Sequence, residues 1–305
     1  MIPDLSVRIG KVKFFNPVLV ASGTFGYGEE YASFLDLNKL GGIITKSITL
    51  NPREGHPPPR TCETPSGMLN AIGLANPGVK RFIKEKLPFL RTLKTKIMVN
   101  VAGSSVEEYV GVVKKLEGKK GIDLLEINIS CPNVKEGGIA FGSNPKSAYR
   151  CIKAVKENTS YPVIAKLSPN VNNIMEIALA IEEAGADAVS LINTLVGMAI
   201  DLDTKKPRLS NITGGLSGPA IKPVALAMVW KVAQKVKIPV IGIGGIMNTN
   251  DALEFILAGA SMIQIGTGNF VDPECSIKIV QGLKRYCQDN KIKRIGELVG
   301  KLKTK

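Results

Sequence analysis

Cys131 closes an alternating run, Glu126-Ile127-Asn128-Ile129-Ser130, and is followed at once by Pro132 and Asn133. Proline cannot continue a central strand, so the strand must stop at the thiol. The amides of Asn128 and Asn133 flank it, and each offers both a donor and an acceptor. A thiol at a strand mouth, set among amides, suits proton transfer with a bound polar heterocycle. A structural cysteine would more often sit mid-strand. Cys131 is therefore the candidate general base.

Lysine is the second chemically telling residue type. Lys166 ends the apolar run Val163-Ile164-Ala165 and would point into the same mouth. A buried ammonium needs a partner charge, and an anionic reduced flavin would supply one. Lys46 is a second candidate cation, and a structural salt bridge is the alternative for either. Gly242-Ile243-Gly244-Gly245 and Gly266-Thr267-Gly268 end two late apolar runs. Glycine lets backbone N–H groups approach an anion, and barrels often hold a phosphate at this place. Tight strand-to-helix turns are the plain alternative.

These residues require elements to position them. Short β-branched runs fall at 17–23, 41–49, 96–103, 124–130, 163–168, 188–194, 239–245 and 262–267, which makes eight candidate strands. Between them, helical periodicity marks 106–116, 145–158, 172–184, 219–236 and 250–258. Several strands are continuously apolar, as in a parallel sheet buried on both faces. Eight β-then-α units in about 300 residues predict an α/β (β/α)8 TIM barrel, one domain over 1–305. A doubly wound sheet would instead show a Gly-rich fingerprint after its first strand. Residues 5–15 alternate around Gly10-Lys11 and predict an N-terminal hairpin closing the barrel bottom. Two long loops, at 50–74 and 195–217, should emerge at the C-terminal face, where barrel active sites lie. Each candidate strand also ends in residues suited to a ligand: Ser22, Lys46 with Ser47, Asn100, Asn128, Lys166, Asn193 with Thr194, and the two glycine turns. A ring of polar groups at one mouth implies a polar ligand, because unpaired buried polar groups are costly.

Composition narrows the function classes. With 44% hydrophobic and 22% charged residues the chain reads as an ordinary globular protein. No apolar run is long enough to span a bilayer, and the N-terminus has no signal-type core, so the expected location is cytoplasmic. The net charge of +14 would suit a polyanion. The lysines are spread along the chain, however, so a solvated surface is expected and nucleic acid is not. The five cysteines include no C-x-x-C spacing, so no metal or cluster site is indicated. Cys151, Cys275 and Cys287 read as core fillers. His56 is the only histidine and lies in a Pro-rich loop, which disfavours a triad or His-metal site.

Taken together, eight motifs resemble the dihydroorotate dehydrogenase family from residue 5 to about 285. They are A-S-G-T-F-G-Y-G (21–28), T-K-S (45–47), N-A-I-G-L-A-N-P-G (70–78), N-I-S-C-P-N (128–133), A-K-L-S-P-N (165–170), I-N-T (192–194), G-G-L-S-G (214–218) and I-G-I-G-G-I (241–246). The resemblance implies flavin mononucleotide (FMN) as cofactor, one per chain. It also implies oxidation of dihydroorotate to orotate in de novo pyrimidine (UMP) synthesis. In that family the group at Cys131 takes the proton from C5 while a hydride leaves C6 for the flavin. Asn70, Ala71, Ile72, Gly73 and Leu74 match substrate contacts, as do Asn128, Asn133, Asn193 and Thr194. Lys46 would face both ligands. Ala21, Ser22, Ser47, Asn100 and Asn128 match flavin positions, together with Lys166 and Ile192. Gly218, Gly244, Gly245, Gly266 and Thr267 complete that set.

The resemblance also discriminates subclasses. Membrane-bound, quinone-reducing members add an N-terminal segment and use serine as base. Fumarate-reducing members continue with a Pro-Gly-Lys-Pro type loop, where this chain has Asn133-Val134-Lys135-Glu136-Gly137-Gly138. That continuation resembles the NAD-linked class 1B catalytic subunit. Its partner carries FAD and a 2Fe-2S cluster, and a homodimer forms the core of a heterotetramer. The fumarate-reducing class 1A and a dihydropyrimidine dehydrogenase-like flavoenzyme remain as alternatives. A tRNA-dihydrouridine synthase would show N-x-G-C-P and a further RNA-binding domain, whereas only about 38 residues follow Thr267. A non-enzymatic binding barrel would need no proton-transfer group.

Overall fold

The computed structural model describes residues 2–130 and 141–304. Cys131 and Asn133 therefore lie outside the described residues. The barrel strands are β1 (Val18–Val20), β2 (Gly42–Ile44), β3 (Lys96–Val101), β4 (Leu124–Asn128), β5 (Val163–Lys166), β6 (Ala188–Leu191), β7 (Val240–Ile243) and β8 (Met262–Ile265). All eight pair in parallel, in chain order, and close on themselves. The (β/α)8 barrel expected from the sequence is thus present.

Side chains on a strand alternate between faces, and this gives the barrel interior distinct layers. Leu19, Ile44, Met98, Leu124, Ile164, Ala188, Ile241 and Met262, one from each strand, form the bottom layer. Ile9 and Phe14 join the same cluster from the antiparallel hairpin Val7–Ile9 and Val12–Phe14. Every one of these ten residues is fully buried, so the hairpin plugs the bottom as its alternation predicts. Two residues further along each strand comes the next inward layer: Ala21, Lys46, Asn100, Glu126, Lys166, Ser190, Ile243 and Gln264. Apolar below and mostly polar above, the interior directs its chemistry to the C-terminal face.

The helices Val106–Leu116, Pro145–Lys156, Ile174–Glu183, Lys222–Ala233, Thr249–Leu257 and Cys275–Asp289 cover the outside. Four of them begin at a side-chain cap, Ser105, Asn144, Asn173 or Asn248, that accepts from a first-turn N–H. The unit after β1 departs from the regular repeat. Only the 3-10 turns Glu29–Tyr31 and Leu37–Lys39 lie between β1 and β2.

The larger departure concerns the two long segments read as loops. Leu195–Met198, Thr213–Ser217, Gly67–Asn70 and Thr61–Thr64 pair in that order as a four-stranded antiparallel sheet over the barrel mouth. Among the described residues no helix is long and apolar enough to cross a membrane.

Candidate active site at the barrel mouth

Three adjoining cavities open at the C-terminal ends of the strands, beneath the small sheet. The first is walled by Ala21 and Ser22 after β1, Lys166 at the end of β5, and Ile192 after β6. Gly218, Gly244, Gly245, Gly266 and Thr267 close its far side. Here the absence of side chains is forced by the fold. A Cβ on Gly245 would stand 2.8 Å from both the Gly218 carbonyl oxygen and the Lys222 nitrogen. At Gly266, in contrast, a Cβ would meet nothing closer than 3.7 Å, so its bareness serves the cavity rather than protein packing.

The second cavity is lined by amides and backbone: Asn70, Ala71, Gly73, Asn193 and Thr194, with Ser130, Asn170 and His56. Asn70, Asn193 and Thr194 also border the first. The third holds Lys46, Ser47, Leu74 and Asn128, and shares Ser22 and Lys166 with the first. Ile72 lines both the first and the third. Residues from seven strand ends and from both long segments thus converge here. Asn100 lies elsewhere. It is fully buried, off the cavity walls, and accepts from Ser47 Oγ at 2.5 Å.

Lys166 is only 5% exposed, yet its ammonium makes no hydrogen bond or ion pair among the described residues. A charge so placed calls for an anionic ligand. Lys46 is half-buried, and burial followed by the nearby Arg60 pushes its ammonium below the ordinary lysine value. Glu30 opposes that shift.

The amides are held in set directions. Ser130 Oγ donates to Asn128 Oδ1 at 2.7 Å and accepts from Asn193 Nδ2 at 2.6 Å. Asn70 Nδ2 donates to the Gly215 carbonyl at 3.2 Å. On Gly215 a Cβ would stand 2.0 Å from Thr194 Oγ1, so a glycine lets the small sheet close onto the site. Ser130, Asn170 and His56 were not singled out as ligand contacts from the sequence. Ser130 and Asn170 do sit inside the quoted motifs at strand ends, which was a usable signal. For His56 the signal was absent, since its place depends on a ladder to residues 71 and 72. Its Nδ1 lies 3.1 Å from the Ala71 carbonyl, and its backbone N–H donates to Ile72 at 3.1 Å. Among the described residues no cluster of His, Cys, Asp or Glu could hold a metal.

Comparison with known proteins agrees with this geometry. The family model for dihydroorotate dehydrogenase matches residues 4–287. A protein of Geotalea uraniireducens named dihydroorotate dehydrogenase B (NAD(+)), catalytic subunit, is 58% identical over 302 residues, covering 99% of each chain. Its namesake in Geobacter metallireducens is 58% identical over 300 residues, covering 98% of each. A third, from Thermoanaerobacter pseudethanolicus, is 54% identical over 98% of this chain and 99% of its own.

Proposed function

The chain belongs to the dihydroorotate dehydrogenase family, and from that premise we propose that it is the catalytic subunit of an NAD-linked enzyme oxidising dihydroorotate to orotate for pyrimidine synthesis. The observation that carries this reading is Lys166: a buried ammonium, without a partner among the described residues, shared by the glycine-walled first cavity and the third cavity that holds Lys46, Ser47 and Asn128. The residues fit flavin mononucleotide. Gly218, Gly244, Gly245, Gly266 and Thr267 would hold its phosphate end, and Ala21, Ser22 and Ile192 would flank its ring. Lys166 would offset negative charge on the reduced ring. When bound, the flavin supplies the hydride acceptor.

The chain's own residues do the rest. Asn70, Asn128 and Asn193 offer donor and acceptor edges that match a planar pyrimidine and its carboxylate. Lys46 adds a positive charge beside them. The Ser130 hydroxyl, tied to Asn128 and Asn193, keeps both amides from turning. Cys131 follows Ser130 in the sequence and is assigned as the general base that takes the C5 proton. With a reference pKa of about 8.5, a cysteine needs only a modest shift to serve near neutral pH.

Electron exit requires a partner. Phe270 lines the first cavity while 52% exposed, and its neighbour Val271 is 71% exposed. An apolar lip there supports docking of an electron-transfer subunit carrying FAD and a 2Fe-2S cluster. Val196, Met198, Ile200 and Ile212, all exposed beside the small sheet, support a second copy of this chain as the core of a heterotetramer. We place the assembly in the cytoplasm. The test is anaerobic mixing of the flavin-loaded protein with dihydroorotate. Bleaching of the flavin absorbance is expected, and a flavin that stays oxidised would overturn the proposal.

A further inference from the structure

Glu126, on β4, is a carboxylate with no solvent contact at all, and it plays no part in the chemistry above. Both its oxygens are in use. Oε2 accepts from Asn100 Nδ2 at 2.6 Å. Oε1 accepts from Ser190 Oγ at 2.8 Å and from Gln264 Nε2 at 2.6 Å. All three neighbours donate to it, so each turns a hydrogen towards the carboxylate. Asn100 then has only its Oδ1 to face the other way, and that oxygen takes the hydroxyl proton of Ser47 at 2.5 Å. Ser47 has one proton, and it is spent. What Ser47 shows to the third cavity, beside Lys166 and Asn128, is lone pairs.

We propose that Glu126 is a positioning residue: through Asn100 it fixes Ser47 as a hydrogen-bond acceptor towards an N–H edge of the flavin ring. The inference rests on the flavin reading above. Gln264 gives an independent sign that the carboxylate dictates direction. Its Oε1 is sealed from solvent and has no hydrogen-bond partner among the described residues. Turning the amide over would place that oxygen against the carboxylate, so the orphaned acceptor is tolerated. Asn100 is held at its backbone as well, where its N–H donates to Thr45 Oγ1 at 3.2 Å. The chain from Glu126 to Ser47 therefore has a fixed polarity, with every donor pointing towards Glu126.

Glu126→Gln tests this with almost no change of shape. Its oxygen is expected to stay with Ser190 and Gln264, which leaves an NH2 facing Asn100. Asn100 must then turn over and donate to Ser47, whose hydroxyl is released to donate into the cavity. The flavin dissociation constant should rise about tenfold or more, the order expected when a buried hydrogen bond is reversed. The flavin midpoint potential should shift as well. The exchange variant Glu126→Gln/Gln264→Glu restores a carboxylate facing the amide and an oxygen facing Asn100. It should bring flavin affinity back to within about threefold of wild type. In a Ser47→Ala background, Glu126→Gln should add almost nothing. A Glu126→Gln protein with wild-type affinity and potential would overturn the inference, as would an exchange variant that loses flavin or does not fold. Wild-type protein that takes up no flavin would instead sink the functional reading itself.

Discussion

Four of the five thiols fall within the described residues, and burial removes three of them from acid–base work. Burial alone pushes Cys151 up to about 12, and Cys275 is pushed up to about 11 by burial and then by Asp272. Cys287 is raised by burial and by Glu297. All three stay protonated thiols near neutral pH. The assignment of the base to Cys131 comes from its motif, and its test is direct. Cys131→Ala should keep flavin and bind orotate, but flavin reduction by dihydroorotate should slow about 10²–10⁴-fold. Stopped-flow reduction at near wild-type rate would reject the base. Lys166→Ala removes a buried charge that has no partner among the described residues. Weaker flavin binding or a lower flavin potential is expected, because the reduced anion loses its counter-charge. A titration showing both unchanged would mean that Lys166 does not face the ring. At this scale much of the candidate site was legible, because strand ends are local: Ser22, Lys166 and Asn193 each follow an apolar run directly, and Lys46 follows one after Thr45. Glu126 and Gln264 were not legible. A polar residue inside an apolar strand gives no hint that three other strands, two of them across the barrel, will satisfy it.

At the scale of elements, the bottom hairpin and the small sheet pull the same barrel in opposite senses. The hairpin only seals. Phe14 sits fully buried among side chains from all eight strands, so Phe14→Ala should cost about 3–5 kcal/mol of stability and leave flavin affinity alone. Denaturant unfolding and flavin titration on one preparation separate the two effects, and a flavin loss equal to the stability loss would contradict the division of labour. The small sheet shapes the site. Gly215→Ala drives a methyl into Thr194, so strand Thr213–Ser217 must lift and carry Asn70 with it, since Gly215 and Asn70 are register partners. Orotate affinity should fall about 10–100-fold, as displacements near 1 Å can cost that much. Unchanged orotate binding would show that the sheet does not set the substrate contacts. The sequence announced the hairpin through strict alternation about Gly10, but it announced the sheet only as two long loops. Local periodicity cannot show pairing between Gly215 and Asn70, whose strands come from separate barrel units. Strands of four or five residues rich in glycine and threonine carry little alternation in any case.

For the molecule as a whole, the question is where the electrons go. The candidate ligand residues that the structure describes, Asn100 apart, converge at one barrel mouth. Nothing in the sequence offers a dinucleotide fingerprint or cysteines spaced for a cluster. Among the described residues, no cluster of His, Cys, Asp or Glu could hold a metal either. A single chain should therefore be reduced by dihydroorotate and then stall with NAD as acceptor. Fumarate is a different case, since it would have to enter the amide-lined cavity after orotate leaves. Phe270 and Val271 stand in solvent at the lip of the first cavity. A partner that covers them could bring its own cofactor within electron-transfer reach without entering the substrate cavity. Steady-state turnover of the purified single chain with NAD, fumarate and a quinone in turn decides among these routes. Slow reduction of all three, with NAD reduction appearing on addition of the electron-transfer subunit, is the expected result. Replacing Val271 by Asp should then block the gain from that subunit while leaving dihydroorotate bleaching of the flavin intact, because Val271 is exposed and lines none of the three cavities. Rapid fumarate reduction by the single chain would move the protein to the fumarate-linked class. Rapid NAD reduction without a partner would remove the need for a second subunit.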